Sequence, residues 1–364
     1  MTPLRHRAAY VALVIGLSSS TINYNSAAQT PALPVDNWHP TTSFDGPRTS
    51  HGAVQVGNRI YVLGGLFASE NGFTLYNDVQ FSSLANDGLI PQGAWQKASA
   101  FQIPRSGLGV VHHNGFLYIV GGFAQQGTLD DIQFAPLRSD GSIGPWAISP
   151  YRLKIPRSNH RLEVFATPSG AFYLAAIAGV GDVGKDTVHF DEIEVAPINS
   201  DGSIGQWREC PFHLKGGRSA PGTAVVNGQI YVIGGWGDRL IEDVFSDVQY
   251  AAIRDDGCTD PWVTSRSPLN MPLYGHTAVV VSGASPPLIL VLGGNAGEGN
   301  YFNNVQFSGL TAASDIGRWT FDRRQFAIPR WGHATVAYQG FIYIIGGAQR
   351  GANGYLNDVQ VIRY

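Results

Sequence analysis

The sequence predicts an all-β ring, a six-bladed β-propeller with four antiparallel strands in each blade, and three observations predict it. Apolar strands end in a glycine pair or its near equivalent at Gly64-Gly65, Gly121-Gly122, Ala178-Gly179, Gly234-Gly235, Gly293-Gly294 and Gly346-Gly347, at spacings of 57, 57, 56, 59 and 53 residues. Tryptophans keep the same beat at Trp38, Trp95, Trp146, Trp207, Trp262 and Trp319, and an Asp-Gly turn precedes four of them, at Asp87-Gly88, Asp140-Gly141, Asp201-Gly202 and Asp256-Gly257. Composition agrees: 45 Gly, 15 Tyr, 18 Phe and 8 Trp in 364 residues is the usage of a turn-rich all-β chain, and only 14% of residues are charged.

Within one copy the order of elements is constant. Ser106 to His112 read as a first strand, Asn114-Gly115 reverses it, Phe116 to Val120 return to the glycine pair, Asp131 to Leu137 form a third strand, and Asp140-Gly141 turns into a fourth that carries Trp146. Asn-Gly and Asp-Gly mark tight hairpins because type I′ turns need two residues that tolerate positive φ. Such a blade cannot bury both faces alone, so the copies must stack, and radial stacking of four-stranded units at this period is a propeller. Trp38 precedes the first full set of inner strands, and the last copy stops at Tyr364 after its third strand. The segment around Trp38 is therefore expected to supply the outer strand of the last blade and close the ring.

The first residues read separately from the domain at 29–364. Arg5, His6 and Arg7 precede the apolar stretch Ala8 to Leu17, and Ser26-Ala27-Ala28 offers small residues for cleavage, so 1–28 is expected to be a secretory signal peptide and the mature protein to be periplasmic or secreted. Its removal takes away two arginines and no acid, moving the formal charge from -3 to -5, against affinity for nucleic acid or anionic membrane. No apolar run reaches the ~18 residues of a membrane span, and a monomer is expected. Export would permit a disulfide between Cys210 and Cys258, but the repeat phase puts them near opposite ends of blade edges, which argues against a bridge.

These residues resemble the kelch family: a Pro-Arg-Ser or Arg-x-x-His start, Ile60-Tyr61-Val62-Leu63-Gly64-Gly65, Asn77-Asp78-Val79-Gln80 and then the spaced Trp, across all six copies. The resemblance extends to bacterial exported kelch proteins and, loosely, to the sialic-acid mutarotase and the propeller half of cyanobacterial resorcinol-alkylating enzymes. It implies ligand binding at a mouth lined by the interblade loops and the loops after the glycine pairs.

Five interblade loops carry an arginine in one phase, Arg48, Arg105, Arg157, Arg218 and Arg330, and copy five breaks the pattern with Tyr274. In animal kelch propellers such arginines receive acidic ligands. The alternative is that they brace the blades by bonding to loop carbonyls or to the repeated Asp78, Asp131, Asp191, Asp247 and Asp358. Like charges ~8 Å apart repel by about 2 kcal/mol at an effective dielectric of 20, so something negative must answer them in either case. Trp236, Arg239 and Tyr301 in the loops after the glycine pairs add aromatic and polar groups suited to a sugar, a small acidic molecule or a protein segment.

The functional expectation is thus a binding propeller without cofactor or metal. His51, His160, His276 and His333 fall three places after the arginine phase, but evenly spread histidines do not converge on one ion. Gly179-Val-Gly181-Asp-Val-Gly184 imitates a phosphate-binding loop, yet Val188 to Ala196 continue as a strand where that motif needs a helix. An enzyme is the rival reading, either a mutarotase with Glu242 or Glu298 as acid-base group beside an arginine clamp, or an aromatic alkylating type. A protein-protein scaffold is the third.

Overall fold

The computed structural model describes residues 37–237, 243–311, 314–351 and 354–364; the expected signal segment lies outside them, as do Arg239 and Glu242. Six first strands, Gly52–Val56, Gly109–His113, Arg161–Ala166, Gly222–Val226, Thr277–Val281 and Ala334–Tyr338, touch one another in cyclic order and surround an axis. Each begins an antiparallel four-stranded sheet. In blade two the sheet runs outward from Gly109–His113 through Phe116–Ala124 and Gly127–Pro136 to the short Ala147–Ile148. The second strands are buried on both faces, as Leu117 to Val120 and Ile342 to Ile345 show, and so read as unbroken apolar runs; six apolar clusters fill the spaces between blades.

The ring closes as the unpaired Trp38 predicts. His39–Thr41 pairs antiparallel with Tyr355–Arg363 as the outer strand of blade six, His39 facing Val361 and Thr41 facing Val359.

The glycine pairs are where blades are stitched together. The second glycine of each donates its N–H to a backbone carbonyl of the following blade: Gly65 to Arg105, Gly122 to Arg157, Gly179 to Arg218, Gly235 to Leu273, Gly294 to Arg330 and, across the closure, Gly347 to Arg48, all at 2.8–2.9 Å. Gly121 shows why a side chain is unwelcome here, since its φ is +56° and an added Cβ would lie 2.6 Å from the Arg157 carbonyl oxygen. The repeated Tyr and Trp act across the same boundaries. Tyr61, Tyr118, Tyr231 and Tyr343 each donate a hydroxyl to a carbonyl in the third-to-fourth-strand turn of the next blade, at Gly141, Gly202, Ser314 and Gly88. Trp146 Nε1 reaches back to the Ser99 carbonyl of the preceding blade at 2.9 Å, and Trp95 and Trp319 do the same.

Cys210 and Cys258 are bonded, contrary to the expectation from repeat phase, with Cα atoms 5.4 Å apart. Phase measures position within a blade, whereas these cysteines sit on different blades. The turn at Asp256-Gly257-Cys258 of blade four laps over the outer strand Arg208–Glu209 of blade three, so a residue of the turn meets one just beyond the strand. At this boundary the tyrosine position of blade three holds Ala175, and the disulfide joins the two blades where that hydroxyl clasp is missing. The segment that imitates a phosphate loop is a hairpin, Val180–Val183 against Asp186–His189, with no helix to follow it.

Candidate functional site

The five arginines lie in the walls beneath the mouth, each shut away from solvent. Arg105 donates from Nη1 to the Gly121 carbonyl at 2.9 Å and makes a bidentate pair with Asp131 at 2.6 and 2.9 Å. Arg48 with Asp78, Arg218 with Asp247 and Arg330 with Asp358 repeat this arrangement, and aromatic rings cover the guanidiniums, Tyr76 at 3.9 Å from Arg48 and Phe245 at 4.2 Å from Arg218. Burial raises the Asp131 carboxyl, but the hydrogen bonds and charge of Arg105, with Gln133, outweigh it and hold the group below the usual carboxylate range. This is the bracing arrangement: it ties the incoming loop to the glycine pair and third strand of its own blade.

Two details depart from the sequence reading. Arg157 pairs with Glu194 at 2.6 Å rather than with Asp191, which falls one place early, at the position of Asn77; Glu192 stands at the aspartate's place, and Glu194, where the other blades carry Gln, does the work of both residues: it also accepts the Lys154 and Ile155 amides, as Gln133 accepts that of Gln102. In copy five the arginine position belongs to Leu273, not Tyr274; Tyr274 bridges to Asn295 as Ser106 does to Phe123. Leu273 faces no carboxylate, since Asn304 replaces the aspartate of that blade. Cation and anion are exchanged together.

Above the arginines a closed ring of six backbone hydrogen bonds narrows the mouth. Gly107 donates to Ser50, Asn159 to Gly107, Ala220 to Asn159, Gly275 to Ala220, Gly332 to Gly275 and Ser50 to Gly332, at 2.7–2.9 Å. All six have φ between 47° and 61°, the left-handed region; Gly fills three of these positions and Asn one, while Ser50 and Ala220 adopt it against the usual preference of L residues. An aromatic row flanks this ring across blades three to six. His189 meets Trp236 edge-on at 5.1 Å, Trp236 stacks on Tyr274 at 5.7 Å, and Tyr274 meets Trp331 edge-on at 5.8 Å. Trp236 is 38% exposed, Tyr274 accepts a hydrogen bond from Asn295 Nδ2 at 2.9 Å, and Tyr301 pairs with Asn295 on the neighbouring strand. Trp236, Tyr274 and Tyr301, picked from sequence, therefore meet on one face, joined by Trp331, which lies off the tryptophan beat and is not among the residues picked from sequence. Glu298 is exposed at a hairpin tip with φ +51° and forms no ion pair with an arginine among the described residues.

Below the ring runs an axial cavity of about 340 Å³, bounded by the six first strands. His51, His160 and His333 stand at its ring end, and Gln55, His112 and Val280 lie towards the opposite face. Burial, with the nearby Arg48, pushes His51 down to about 3; His160 falls to about 3 for the same reason beside Arg157, and His276 falls equally. These rings pack between blades: His51 against Gly346 and His160 against Gly121. The cavity also holds Arg161 and Glu163, unnoticed in the sequence reading. The signal was there, because the other copies place Gly, Thr or Ala at the first position and Val or Ala at the second.

Comparison with known proteins agrees with this architecture. A family model described as Kelch motif matches residues 217–250, from the interblade loop of blade four through its third strand. The chain is 27% identical over 193 residues to kelch repeat and BTB domain-containing protein 12 of Homo sapiens, covering 50% of this chain and 29% of that protein. It is 26% identical over 230 residues to the protein of the same name from Danio rerio, covering 58% and 32%. The match thus spans less than a third of the length of these curated relatives. With its six closed blades, a glycine pair or its equivalent in each, and the motif match in blade four, the chain belongs to the kelch-repeat β-propeller family.

Proposed function

We propose that this propeller is a binding module that takes a protein segment across the loop face, with Trp236, Tyr274 and Trp331 as its anchors. The observation that carries the reading is the aromatic row itself: large rings held in fixed orientation beside a rigid backbone ring lose little entropy on binding and provide contact area. Kelch propellers generally bind protein partners, which favours a polypeptide over a free anion. The arginines do not compete as an anion clamp, since each is already bonded to a carboxylate of its own blade. Action outside the cytoplasm forms part of the proposal. The Cys210–Cys258 bond supports it, because disulfides persist in oxidising compartments, as does the signal-like character of 1–28.

Selection from a displayed random-peptide library tests the reading. Binders should perturb Trp236 fluorescence and lose at least tenfold in affinity, about 1.4 kcal/mol, on Trp236→Ala, with Glu298→Gln as a neutral control. A library that yields no binder, or binders indifferent to Trp236 and Trp331, sinks it.

A further inference from the structure

Arg161 and Glu163 are the charged residues of the axial cavity, and they are arranged unlike the five braced pairs. As residues i and i+2 of one strand they lie on the same side, with Cα atoms roughly 6.6 Å apart. Arg161 spends Nε on the Pro221 carbonyl and Nη2 on that of His276 at 2.7 Å, crossing to blades four and five. Glu163 accepts the Thr223 hydroxyl at 2.5 Å through Oε1. Among the described residues the two form no ion pair with each other, and neither Nη1 of Arg161 nor Oε2 of Glu163 has a hydrogen-bond partner. A guanidinium and a carboxylate held apart inside a protein leave each charge incompletely answered, which is costly in a poorly solvated space.

Burial pulls Arg161 down to about 10 and lifts Glu163, in each case against the attraction of the other. The surrounding imidazoles add no charge near neutrality, for burial lowers His112 to about 4 and holds His333 well below its ordinary range, beside His51 and His160. The site is thus net neutral with separated poles. On blades five and six, Thr277 and Thr335 share a hydroxyl contact at 2.6 Å, and Thr277 meets His333 Nε2 at 3.1 Å. Aliphatic Val110, Leu162, Ala278 and Val279 form the rest of the wall.

We propose that this cavity is a second binding site, separate from the loop face, for a small zwitterion of the amino-acid class, its carboxylate on Arg161 and its ammonium on Glu163. An anion alone would meet Glu163, and a cation alone would meet Arg161; a molecule carrying both signs answers both poles. At about 30 Å³ per water the volume equals roughly ten waters, enough for a small amino acid and its side chain. Gln55 and His112 line the end of the cavity away from the hydrogen-bonded ring.

Saturation-transfer NMR and calorimetry on the full chain with L-alanine, L-serine and L-leucine test this, with L-alanine methyl ester and N-acetyl-L-alanine as forms that lack one pole. At least one free amino acid should bind, and both blocked forms should bind at least tenfold more weakly. Glu163→Gln keeps the acceptor for Thr223 and should weaken the amino acid at least tenfold, whereas Trp236→Ala should leave it unchanged, separating this site from the loop face. Silence from all three amino acids, or equal binding of the blocked forms, overturns the proposal and leaves a water-filled channel. The blocked forms are measured on the natural protein, so the outcome does not depend on how well the variant folds.

Discussion

A guanidinium shut off from water is destabilising by several kcal/mol unless a carboxylate and well-placed carbonyls answer it, and each of the five braced arginines has both. Blade five shows what happens when the pair is dispensed with: Leu273 and Asn304 stand in the two places and the blade is built all the same. The comparison is an internal experiment. Arg105→Leu should cost about 3–5 kcal/mol by stranding the buried Asp131, while Arg105→Leu combined with Asp131→Asn, the blade-five pair, should recover most of that loss. Guanidinium melts of the natural protein and the two variants decide it; a double variant no more stable than Arg105→Leu would mean that lost hydrogen bonds to the glycine pair, and not an unpaired charge, dominate. The pairing itself could be anticipated only in part, because sequence shows that Asp131 recurs with Arg105 but not whether the arginine turns inward to it or outward to solvent.

At the scale of the strand and turn, the blades are joined by a small set of repeated clasps, and they are not equal. Four boundaries have a tyrosine hydroxyl on a neighbouring turn, and the boundary between blades three and four has Ala175 and a disulfide. The bridge closes a loop of sequence separation 48, for which chain entropy suggests about 4 kcal/mol at most. Replacing both cysteines by alanine should lower stability by roughly 2–4 kcal/mol, more than the ~1 kcal/mol expected for Tyr118→Phe at an intact clasp. Denaturation with and without reductant checks both figures, and an unchanged midpoint on reduction would show the bridge to be redundant. Hairpins such as Asn114-Gly115 were legible because their turn chemistry is local. The disulfide was not, since it depends on how far one blade overlaps the next.

For the whole molecule, ring closure makes every blade depend on two neighbours, and the histidines buried between blades make that dependence sensitive to acid. The folded forms of His51, His160 and His276 titrate at about 3 against 6.5 in an unfolded chain. The unfolded state therefore binds more protons between these values. Stability is at its full value above pH 6.5 and declines as the pH falls through this window towards 3, with a slope near pH 5 of about 1.4 kcal/mol per pH unit for each such histidine. Melting temperatures from pH 8 to 4 should fall accordingly, and the fall should be shallower in His160→Gln. A flat profile between pH 6.5 and 5 would show that these rings are solvated in the folded protein.

The fold class, the number of blades, the strand order and the closure through Trp38 are legible in the chain, because glycine pairs, Asp-Gly turns and apolar strands recur at the period of a four-stranded blade. The sites are set by how the blades pack. Whether Arg105 faces solvent or Asp131, whether Cys210 meets Cys258, whether Trp331 joins Trp236 and Tyr274, and that Arg161 and Glu163 look into the axis all depend on how neighbouring blades are placed against each other. A repeat phase encodes a residue's place within its own blade, and contacts between blades come from the angle and stagger at which whole sheets stack, which no single copy specifies.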